Sequence, residues 1–320
     1  MKDILGREIN YLRISITDRC NLRCKYCMPV PIEKVEMAEI LTFDEIVEVC
    51  RMAAELGIRY IKITGGEPLV RKRCVMLIEM IKNIPGIEKV TMTTNGVLLA
   101  ENIDALKAAG LDAVNISLDT RNPEKFHEIT GSDDYNKVIA GIEAAVNAGL
   151  RVKVNSVLMA GSNDSEWHDL VLLAKEYPVD VRFIEMMPIG YGKESKGVSN
   201  DDVKNLLASE YELIKDNTRH GYGPAEYYNI DGFLGSVGFI SAMHGKFCKD
   251  CNRIRLTSTG FLKPCLCYGE GADLKELLRS GDLAKAKKVL RQVIENKPKE
   301  HCFENEKNIT ENHNMVGIGG

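Results

Sequence analysis

Strand-like runs alternate with helix-like stretches from the start of the chain to about residue 215, and this alternation limits the possible folds more than any other feature. The strand-like runs are residues 11–17, 60–64, 90–93, 113–118, 152–158 and 180–187. Repeated strand–helix units favour a parallel sheet or barrel covered by helices. Thr42 and Glu45 form a capping box, which predicts that the first long helix begins directly after Thr42.

The predicted strands are unusual because most of them alternate apolar and polar residues, whereas a parallel strand packed on both faces is apolar throughout. In the first strand, for example, Leu12 and Ile14 alternate with Arg13 and Ser15. Successive side chains point to opposite faces of a sheet, so the polar residues share one side. A solvated sheet face is one interpretation. We favour an α/β fold with an incomplete (β/α)6 TIM-like barrel, whose polar lumen holds a polar ligand.

The sequence changes character at about residue 216, which predicts a barrel domain at 1–215 and a second domain at 216–320. Short runs at 226–230, 233–240, 253–257 and 261–263 predict a small C-terminal antiparallel β-containing domain that closes the barrel mouth. A charged helix is expected at about 274–296, and a polar tail then ends in Gly319 and Gly320.

Charge and hydropathy argue against two classes of function. The chain of 320 residues has a net charge of −4 and a pI near 6.0, so no overall positive field attracts nucleic acid. No apolar run approaches the roughly 20 residues that a membrane-spanning helix needs, and the first residues do not resemble a signal peptide. We therefore expect a cytoplasmic protein that binds neither nucleic acid nor membranes.

Three of the ten cysteines form a group directly after the first strand. Cys20, Cys24 and Cys27 lie at the carboxyl end of that strand, where barrel enzymes place their sites. Three thiolates with this spacing can bind three irons of a [4Fe–4S] cluster and leave the fourth iron open to a substrate or cofactor. Zinc is the alternative, but no histidine or fourth cysteine lies nearby in the sequence to complete a tetrahedral site.

A second cysteine group lies in the C-terminal part of the chain. Cys248, Cys251 and Cys265 are followed by Cys267, and four thiolates in two pairs resemble a zinc ribbon. The last pair, however, has one spacer residue instead of two. The pattern alone is equally compatible with zinc and with an iron–sulfur cluster.

The remaining cysteines have simpler interpretations. Cys50 and Cys74 lie on apolar helical faces, and we expect them to be small buried hydrophobic residues. Cys302 lies in the tail and has no evident partner in the sequence.

Two motifs resemble those of radical S-adenosylmethionine (SAM) enzymes. Residues 20–27 (CNLRCKYC) resemble the cluster-binding signature, and residues 65–68 (GGEP), at the end of the second strand, resemble the SAM-binding motif. The resemblance implies that SAM chelates the open iron through its amino and carboxylate groups. Bare glycine backbone at residues 65 and 66 is consistent with close approach to a ligand.

Three further features narrow the resemblance to the GTP 3′,8-cyclase family of molybdenum cofactor biosynthesis. They are residues 11–20 (YLRISITDRC), residues 251–257 (CNRIRLT) and the terminal pair Gly319-Gly320. The family resemblance implies a second [4Fe–4S] cluster, held by Cys248, Cys251 and Cys265, whose open iron binds the guanine base of GTP. Cys267 is extra to the family pattern, so the third ligand is either Cys265 or Cys267.

The resemblance also implies roles for individual residues. Arg253 and Arg255 would be catalytic and bind GTP; they lie two apart on a predicted strand, and their guanidinium groups suit phosphate and carbonyl oxygens. The family often has arginine where this chain has Lys62, a change that keeps the charge but loses bidentate geometry. The other implied GTP contacts are Arg13, Lys62, Thr93, Lys153 and Ile254, and the implied SAM contacts are Tyr26, Gly66, Ser117 and Met187. Gly319 and Gly320 would reach the active site and take part in catalysis, whereas the general expectation for such a terminus is a frayed end.

The implied reaction starts when a one-electron donor of the flavodoxin or ferredoxin type reduces the first cluster. Cleavage of SAM then yields a 5′-deoxyadenosyl radical, which removes the 3′ hydrogen of GTP. Attack of the C3′ radical on C8 of guanine leads to (8S)-3′,8-cyclo-7,8-dihydroguanosine 5′-triphosphate. The resemblance implies that cyclic pyranopterin monophosphate synthase uses this product, and it is compatible with a homodimer.

Other classes of protein share part of the pattern. A radical SAM peptide-maturing enzyme would also have auxiliary clusters, but the paired arginines and the Gly-Gly end favour a nucleotide substrate. A non-enzymatic iron–sulfur electron carrier or a zinc-stabilised binding module would share only the cysteines. Metal analysis separates these classes, because two cubes predict about eight irons and no zinc.

Overall fold

The computed structural model describes residues 1–28 and 35–319. Its centre is a sheet in which six parallel strands lie side by side in the order of the chain. They are β1 (Tyr11–Ser15), β2 (Tyr60–Thr64), β3 (Lys89–Thr94), β4 (Ala113–Ser117), β5 (Arg151–Ser156) and β6 (Val179–Ile184). All six predicted strands are present, with ends that differ by at most three residues from the predicted ones.

Helices follow the strands, as the strand–helix alternation predicts. Thr42 accepts a hydrogen bond from the Glu45 main chain, and the Glu45 carboxylate accepts one from Thr42, so the predicted capping box is confirmed. The helices up to residue 210 are α1 (Phe43–Glu55), α2 (Cys74–Lys82), α3 (Leu99–Ala108), α4 (Pro123–Thr130), α5 (Tyr135–Asn147), α6 (Trp167–Glu176) and α7 (Asn200–Glu210).

The later strands extend this central sheet at both edges instead of forming a separate sheet. They are β7 (Ile214–Asp216), β8 (Glu226–Asn229), β9 (Ser236–Ile240), β10 (Arg253–Leu256), β11 (Phe261–Lys263) and β12 (Ala272–Asp273). β10 pairs in parallel with β1 and β9 pairs in parallel with β6, while the outer strands continue in antiparallel pairs. The predicted antiparallel pairings therefore exist, but they cover the two open edges of one sheet.

The predicted C-terminal helix is interrupted. Two helices, α8 (Lys275–Arg279) and α9 (Leu283–Glu295), replace the single helix expected at 274–296. Gly281 separates them with a φ of +76°, a conformation that glycine adopts without strain.

The apolar core lies between the helices and the apolar face of the sheet. Leu12, Ile61, Val114 and Val154 are fully buried there, together with Cys50 of α1. The buried positions of Cys50 and Cys74 confirm their interpretation as core residues. None of the helices in the described ranges combines the length and the apolar character needed to cross a membrane.

Candidate active site

A cavity of about 1090 Å³ lies on the polar side of the central sheet. Alternate positions along β1 to β6 contribute side chains to it, while the intervening residues, such as Leu12 and Ile61, are buried on the other face. The residues of β1 to β6 that line it are Tyr11, Arg13, Lys62, Lys89, Thr91, Ala113, Asn115, Arg151, Lys153, Asn155, Arg182 and Ile184. The polar faces of these strands therefore line one shared cavity.

Cationic side chains are concentrated in this cavity. Arg13 lies between Lys62 and Arg255, because the three residues are partners on the adjacent parallel strands β2, β1 and β10. Burial lowers the pKa of Arg255 to about 9 and the pKa of Lys62 well below its usual range, and the positive charges of neighbouring arginines add to both shifts. Burial is also the main reason that the pKa of Arg13 falls to about 10. Crowded, buried like charges favour a polyanionic ligand.

Arg182 is a cavity residue that the sequence analysis missed. It alternates along β6 with the buried residues Val181 and Phe183, so the same alternation could have identified it. With its amide oxygen facing the cations, Asn115 accepts hydrogen bonds from Lys62 Nζ and Arg182 Nη2, each at 2.8 Å. Asn115 therefore connects two of the cations that line the cavity.

Lys153 is positioned by a polar network on the same side. Its Nζ donates to Asp180 Oδ2 and to the Tyr227 hydroxyl, both at 2.7 Å. Asp180 Oδ1 lies 3.0 Å from His220 Nδ1, and the His220 ring stacks on Tyr227. Burial and the charge of Arg182 lower the pKa of Lys153 to about 8, although Asp180 opposes this shift.

The first cysteine group lies in the loop after β1, where all three thiols are half-buried. Burial raises the pKa of each thiol, and a neighbouring thiol of the group adds to the effect for Cys24 and for Cys27, whose pKa is about 12. The Asn95 side-chain amide donates to Cys20 Sγ at 3.7 Å, and the Val316 main chain donates to the Cys27 thiol. Because their pKa values are raised, these three thiols need a positive partner in order to ionise, and an iron–sulfur cluster supplies one.

Gly66 is required by the packing of the chain itself. A Cβ atom there would lie 2.3 Å from the carbonyl oxygen of Arg19, in the loop that carries the cysteines. The neighbouring Glu67 is fully buried, and it accepts hydrogen bonds from Thr94 Oγ1 and from the Asn95 main chain at 2.8 and 2.6 Å. Burial raises the pKa of Glu67 to about 7. Gly66 and Glu67 therefore connect the cysteine loop to the ends of β2 and β3.

The predicted SAM contacts lie on several different elements. The Tyr26 hydroxyl donates to Asp119 Oδ2 at 2.6 Å, which brings Tyr26 to the end of β4, where Ser117 lies. Met187 follows β6 and lines the cavity. Asp119, which the sequence analysis did not single out, is buried, and burial raises its pKa to about 6.

The second cysteine group lines the cavity directly. Cys248, Cys251 and Cys265 all contribute to its wall, beside Arg253 and Arg255. Although burial raises the pKa of Cys251, the charges of Arg253 and Lys297 lower it to about 7 overall. Ile254 points the other way and is fully buried in the apolar core, so only its main chain faces this site.

Cys267 lies apart from the cavity wall. It is fully buried in a small apolar cluster, and its Sγ atom lies 3.2 Å from that of Cys302. Of the two candidates for the third ligand, Cys265 is therefore the one that shares the cavity with Cys248 and Cys251.

The spacing of the thiols bears on the choice between zinc and iron–sulfur. Within residues 1–28 and 35–319, no three His, Cys, Asp or Glu side chains are arranged around one metal-ion position. Zinc requires its ligands to converge at about 2.0–2.3 Å from a single ion, whereas each thiolate of a [4Fe–4S] cluster binds a different iron.

The C-terminal tail reaches the same region. Gly319 has a φ of +72°, and a Cβ atom there would lie 3.1 Å from Ser15 Cβ and 3.2 Å from Thr64 Cγ2. Val316 contacts Cys27, so the tail runs between the first cysteine group and the cations of the cavity. Gly320 lies outside the described residues. Nearby on β3, the Thr93 hydroxyl is buried and has no hydrogen-bond partner in the described part of the chain, so a ligand could provide one.

Two sequence families match most of the chain. Residues 14–174 match the Radical SAM superfamily, and residues 179–303 match the family described as Molybdenum Cofactor Synthesis C.

Several curated relatives match over the full length. The chain is 44% identical to a GTP 3′,8-cyclase of Clostridium perfringens strain 13 and 45% identical to one of Alkaliphilus oremlandii, in both cases over 100% of each chain. It is 47% identical to a GTP 3′,8-cyclase of Peptoclostridium acidaminophilum, over 99% of this chain and 98% of the relative.

Solved structures share the fold. Streptococcus suis SuiB bound to S-adenosylmethionine superposes with a TM-score of 0.63 at 16% identity, covering 86% of this chain and 65% of that one. SuiB bound to the precursor peptide SuiA superposes with a TM-score of 0.64 at 16% identity, over 92% of this chain and 66% of that one. At this identity the likeness concerns the fold alone.

Proposed function

The chain belongs to the GTP 3′,8-cyclase family of the Radical SAM superfamily, and from that premise we propose which of its residues hold the cofactors and the substrate. The enzyme converts GTP to (8S)-3′,8-cyclo-7,8-dihydroguanosine 5′-triphosphate in molybdenum cofactor biosynthesis. A radical SAM enzyme uses a [4Fe–4S] cluster and SAM. The proposal concerns the second cluster and the individual residues.

One observation carries the assignment of the GTP site. Cys248, Cys251 and Cys265 line the same cavity as the half-buried arginines of β1 and β10 and the buried Lys62 of β2. A three-cysteine cluster leaves one iron open, and GTP carries both a base that can bind iron and a triphosphate that needs cations. We infer that the guanine base binds at these cysteines and that Arg13, Lys62, Lys153, Arg253 and Arg255, joined by Arg182, hold the triphosphate.

The SAM site is proposed at the first cysteine group. Cys20, Cys24 and Cys27 would ligate the cluster, and we propose that Tyr26, Gly66, Ser117 and Met187 contact the SAM bound to it; Tyr26 and Gly66 lie in or against the cysteine loop. For Gly66 the packing argument is independent of any ligand, so its contact with SAM would be made by its main chain. The Thr93 hydroxyl, buried and unpaired among the described residues, is proposed to bind GTP.

The protein's own contribution is orientation and exclusion of water. When bound, the first cluster and SAM supply a one-electron reduction and a 5′-deoxyadenosyl radical that removes the 3′ hydrogen of GTP. Arg255, held by the tail, and Lys153, held by Asp180, can fix the triphosphate so that the ribose faces the SAM site. Gly319 lies against Ser15 of β1, Thr64 of β2 and Arg255, where a larger residue would clash, and we propose that it takes part in the active site there.

We also infer that the central sheet curves into the incomplete (β/α)6 barrel and that residues 216–320 close its mouth. Supporting this, the polar faces of six successive strands line a single cavity, and residues such as His220, Cys251 and Phe303 complete its wall. The external electron donor is proposed to be of the flavodoxin or ferredoxin type, because this chemistry needs one electron at a time. Cyclic pyranopterin monophosphate synthase would take up the product.

Label transfer tests the proposed function. The anaerobically prepared enzyme with both clusters is incubated with SAM, dithionite and GTP deuterated at the 3′ position. We expect deuterium in 5′-deoxyadenosine together with cyclised nucleotide. SAM cleavage that yields only unlabelled 5′-deoxyadenosine would contradict the assignment of the GTP site.

A further inference from the structure

Two cysteines outside both proposed cluster sites lie against each other. The Sγ atoms of Cys267 and Cys302 are 3.2 Å apart, although the two residues are 35 positions apart in the chain. The Cys302 main-chain N–H donates to Cys267 Sγ at 3.4 Å, and the Cys302 thiol donates to the carbonyl oxygen of Asn308 at 3.1 Å. Cys302 therefore does have a partner, contrary to the expectation from the sequence, because the tail folds back over the loop after β11.

The two thiols differ in accessibility. Cys267 is fully buried in an apolar cluster that contains Leu266, Phe303 and Ile309, whereas Cys302 is only half-buried at its edge. A small oxidant can therefore reach Cys302 first, and Cys267 is placed to react with it in a second step. Such an arrangement of one accessible and one resolving thiol is typical of reversible redox pairs.

We propose that Cys267 and Cys302 form a reversible disulfide when the protein meets a low-molecular-weight disulfide. The Cys302 thiolate attacks the small disulfide, forms a mixed disulfide and releases one small thiol. The Cys267 thiolate then attacks the Cys302 sulfur and releases the second small thiol. Two protein S–H bonds are lost and one S–S bond forms, while the small disulfide gains the two electrons and two protons.

The bond would join the two segments that border the second cysteine group. Cys267 follows Cys265 by two residues, and Cys302 follows His301, whose main-chain N–H donates to Cys248 Sγ at 3.4 Å. A disulfide between these segments would stabilise the proposed cluster site without using any of its cysteines. The inference stands apart from the cyclase reaction, and its test does not require turnover of GTP.

Peptide mapping tests the proposal. The enzyme with both clusters, prepared anaerobically, is treated with oxidised glutathione, alkylated with N-ethylmaleimide and digested with trypsin. Because Pro264 follows Lys263, trypsin leaves residues 256–275 as one peptide, and Cys302 lies in residues 300–307. We expect a cross-linked pair of these peptides, with fragmentation placing the bond at Cys267, and with iron content and cluster absorbance unchanged. Dithiothreitol should restore the separate peptides.

Matched variants sharpen the result. Cys302→Ser and Cys267→Ser should each eliminate the cross-linked peptide, whereas Cys50→Ala, at a core cysteine remote from the tail, should retain it. A cross-link through Cys265, iron loss in step with cross-linking, or glutathione that remains on Cys302 without a cross-link would each overturn the proposal. The wild-type map alone decides the question if a variant fails to fold.

Discussion

Arg255 donates a hydrogen bond from Nη1 to the carbonyl oxygen of Gly319 at 2.9 Å, so a cation of the cavity directly holds the end of the described tail. The guanidinium group lies beside Arg13 on the adjacent strand, where burial and like charge lower its pKa to about 9. The tail carbonyl thus partly compensates a buried charge. This contact couples the position of the tail to the proposed triphosphate site.

Arg255→Ala should separate SAM cleavage from cyclisation. We expect both clusters and the production of 5′-deoxyadenosine to persist, while the yield of cyclised product falls roughly 100-fold. The reason is that a charge-assisted contact of Arg255 with the triphosphate contributes about 1.5–3 kcal/mol, and Arg255 also positions the tail. Product is measured by chromatography after anaerobic incubation. Arg51→Ala, at an exposed position on α1, is the control and should behave as wild type. Wild-type product formation by the Arg255 variant would remove it from the site.

Gly319→Ala should impair catalysis more than Gly317→Ala. At residue 319 a side chain meets strain at positive φ and crowding by Ser15 and Thr64, whereas at residue 317 a Cβ would make only an ordinary 3.8 Å contact with His313. We expect Gly319→Ala to lower kcat by at least about fivefold, since left-handed strain alone costs about 1 kcal/mol or more, with little change in thermal stability. Equal kcat values for the two variants would argue against a tail that works inside the site.

The buried Lys263–Glu311 ion pair should control tail docking. Both side chains are almost fully buried, and Glu311 also accepts a hydrogen bond from the His313 main chain at 2.7 Å. Removing one partner of a buried pair costs about 3–5 kcal/mol, so Glu311→Gln should expose the tail to carboxypeptidase and lower kcat.

The double variant Lys263→Met/Glu311→Met provides the control for this pair, since no charge is left unpaired. It should recover most of the thermal stability that the single variant loses. If Glu311→Gln leaves both the digestion rate of the tail and kcat unchanged, the pair does not anchor the tail.

GTP binding should take up protons near pH 8 to 10. Burial lowers the pKa of Lys153 to about 8. Between pH 8 and 10 the lysine therefore binds a proton in the unfolded chain but is largely neutral in the folded protein. The contribution of Lys153 to the free energy of unfolding consequently rises with pH in this window. A triphosphate favours the charged lysine, so affinity for GTP should fall as pH rises above 8. Calorimetry in buffers of different ionisation enthalpy measures the uptake, which Lys153→Met should reduce. Equal uptake by wild type and Lys153→Met would contradict the prediction.

Cys265→Ala and Cys267→Ala should differ in iron content. Only Cys265 shares the cavity with Cys248 and Cys251, so its loss should remove about four irons per chain, while the Cys267 variant keeps about eight. Iron and sulfide are determined after anaerobic reconstitution. The reverse pattern would make Cys267 the ligand.

Local sequence patterns were sufficient for much of the fold. The alternation of Leu12 and Ile14 with Arg13 and Ser15 identified which face of the sheet is polar, because side-chain direction follows directly from strand geometry. The capping box at Thr42 was equally readable, since both of its hydrogen bonds are made within four residues. Arg182 follows the same rule, since it alternates on β6 with the buried residues Val181 and Phe183.

Features that depend on contacts between distant parts of the chain could not be predicted from local sequence patterns. The pairing of β9 with β6 and of β10 with β1 joins segments far apart in the chain, and short alternating strands carry no signal of which edge they will meet. The same holds for Cys302, whose contact with Cys267 arises only when the tail folds back. The role of Gly66 in backbone packing likewise required the position of the cysteine loop.

The sequence by itself determined the chemistry that is available: two cysteine groups, a glycine motif and cations at alternate strand positions, all encoded in spacings of a few residues. The tertiary structure alone decided which of these groups meet. It placed Cys265 rather than Cys267 on the cavity wall and brought Gly319 to Arg255. The physical reason is that local spacing sets the direction of a side chain, whereas contact between distant segments depends on how the whole sheet and its tail pack together.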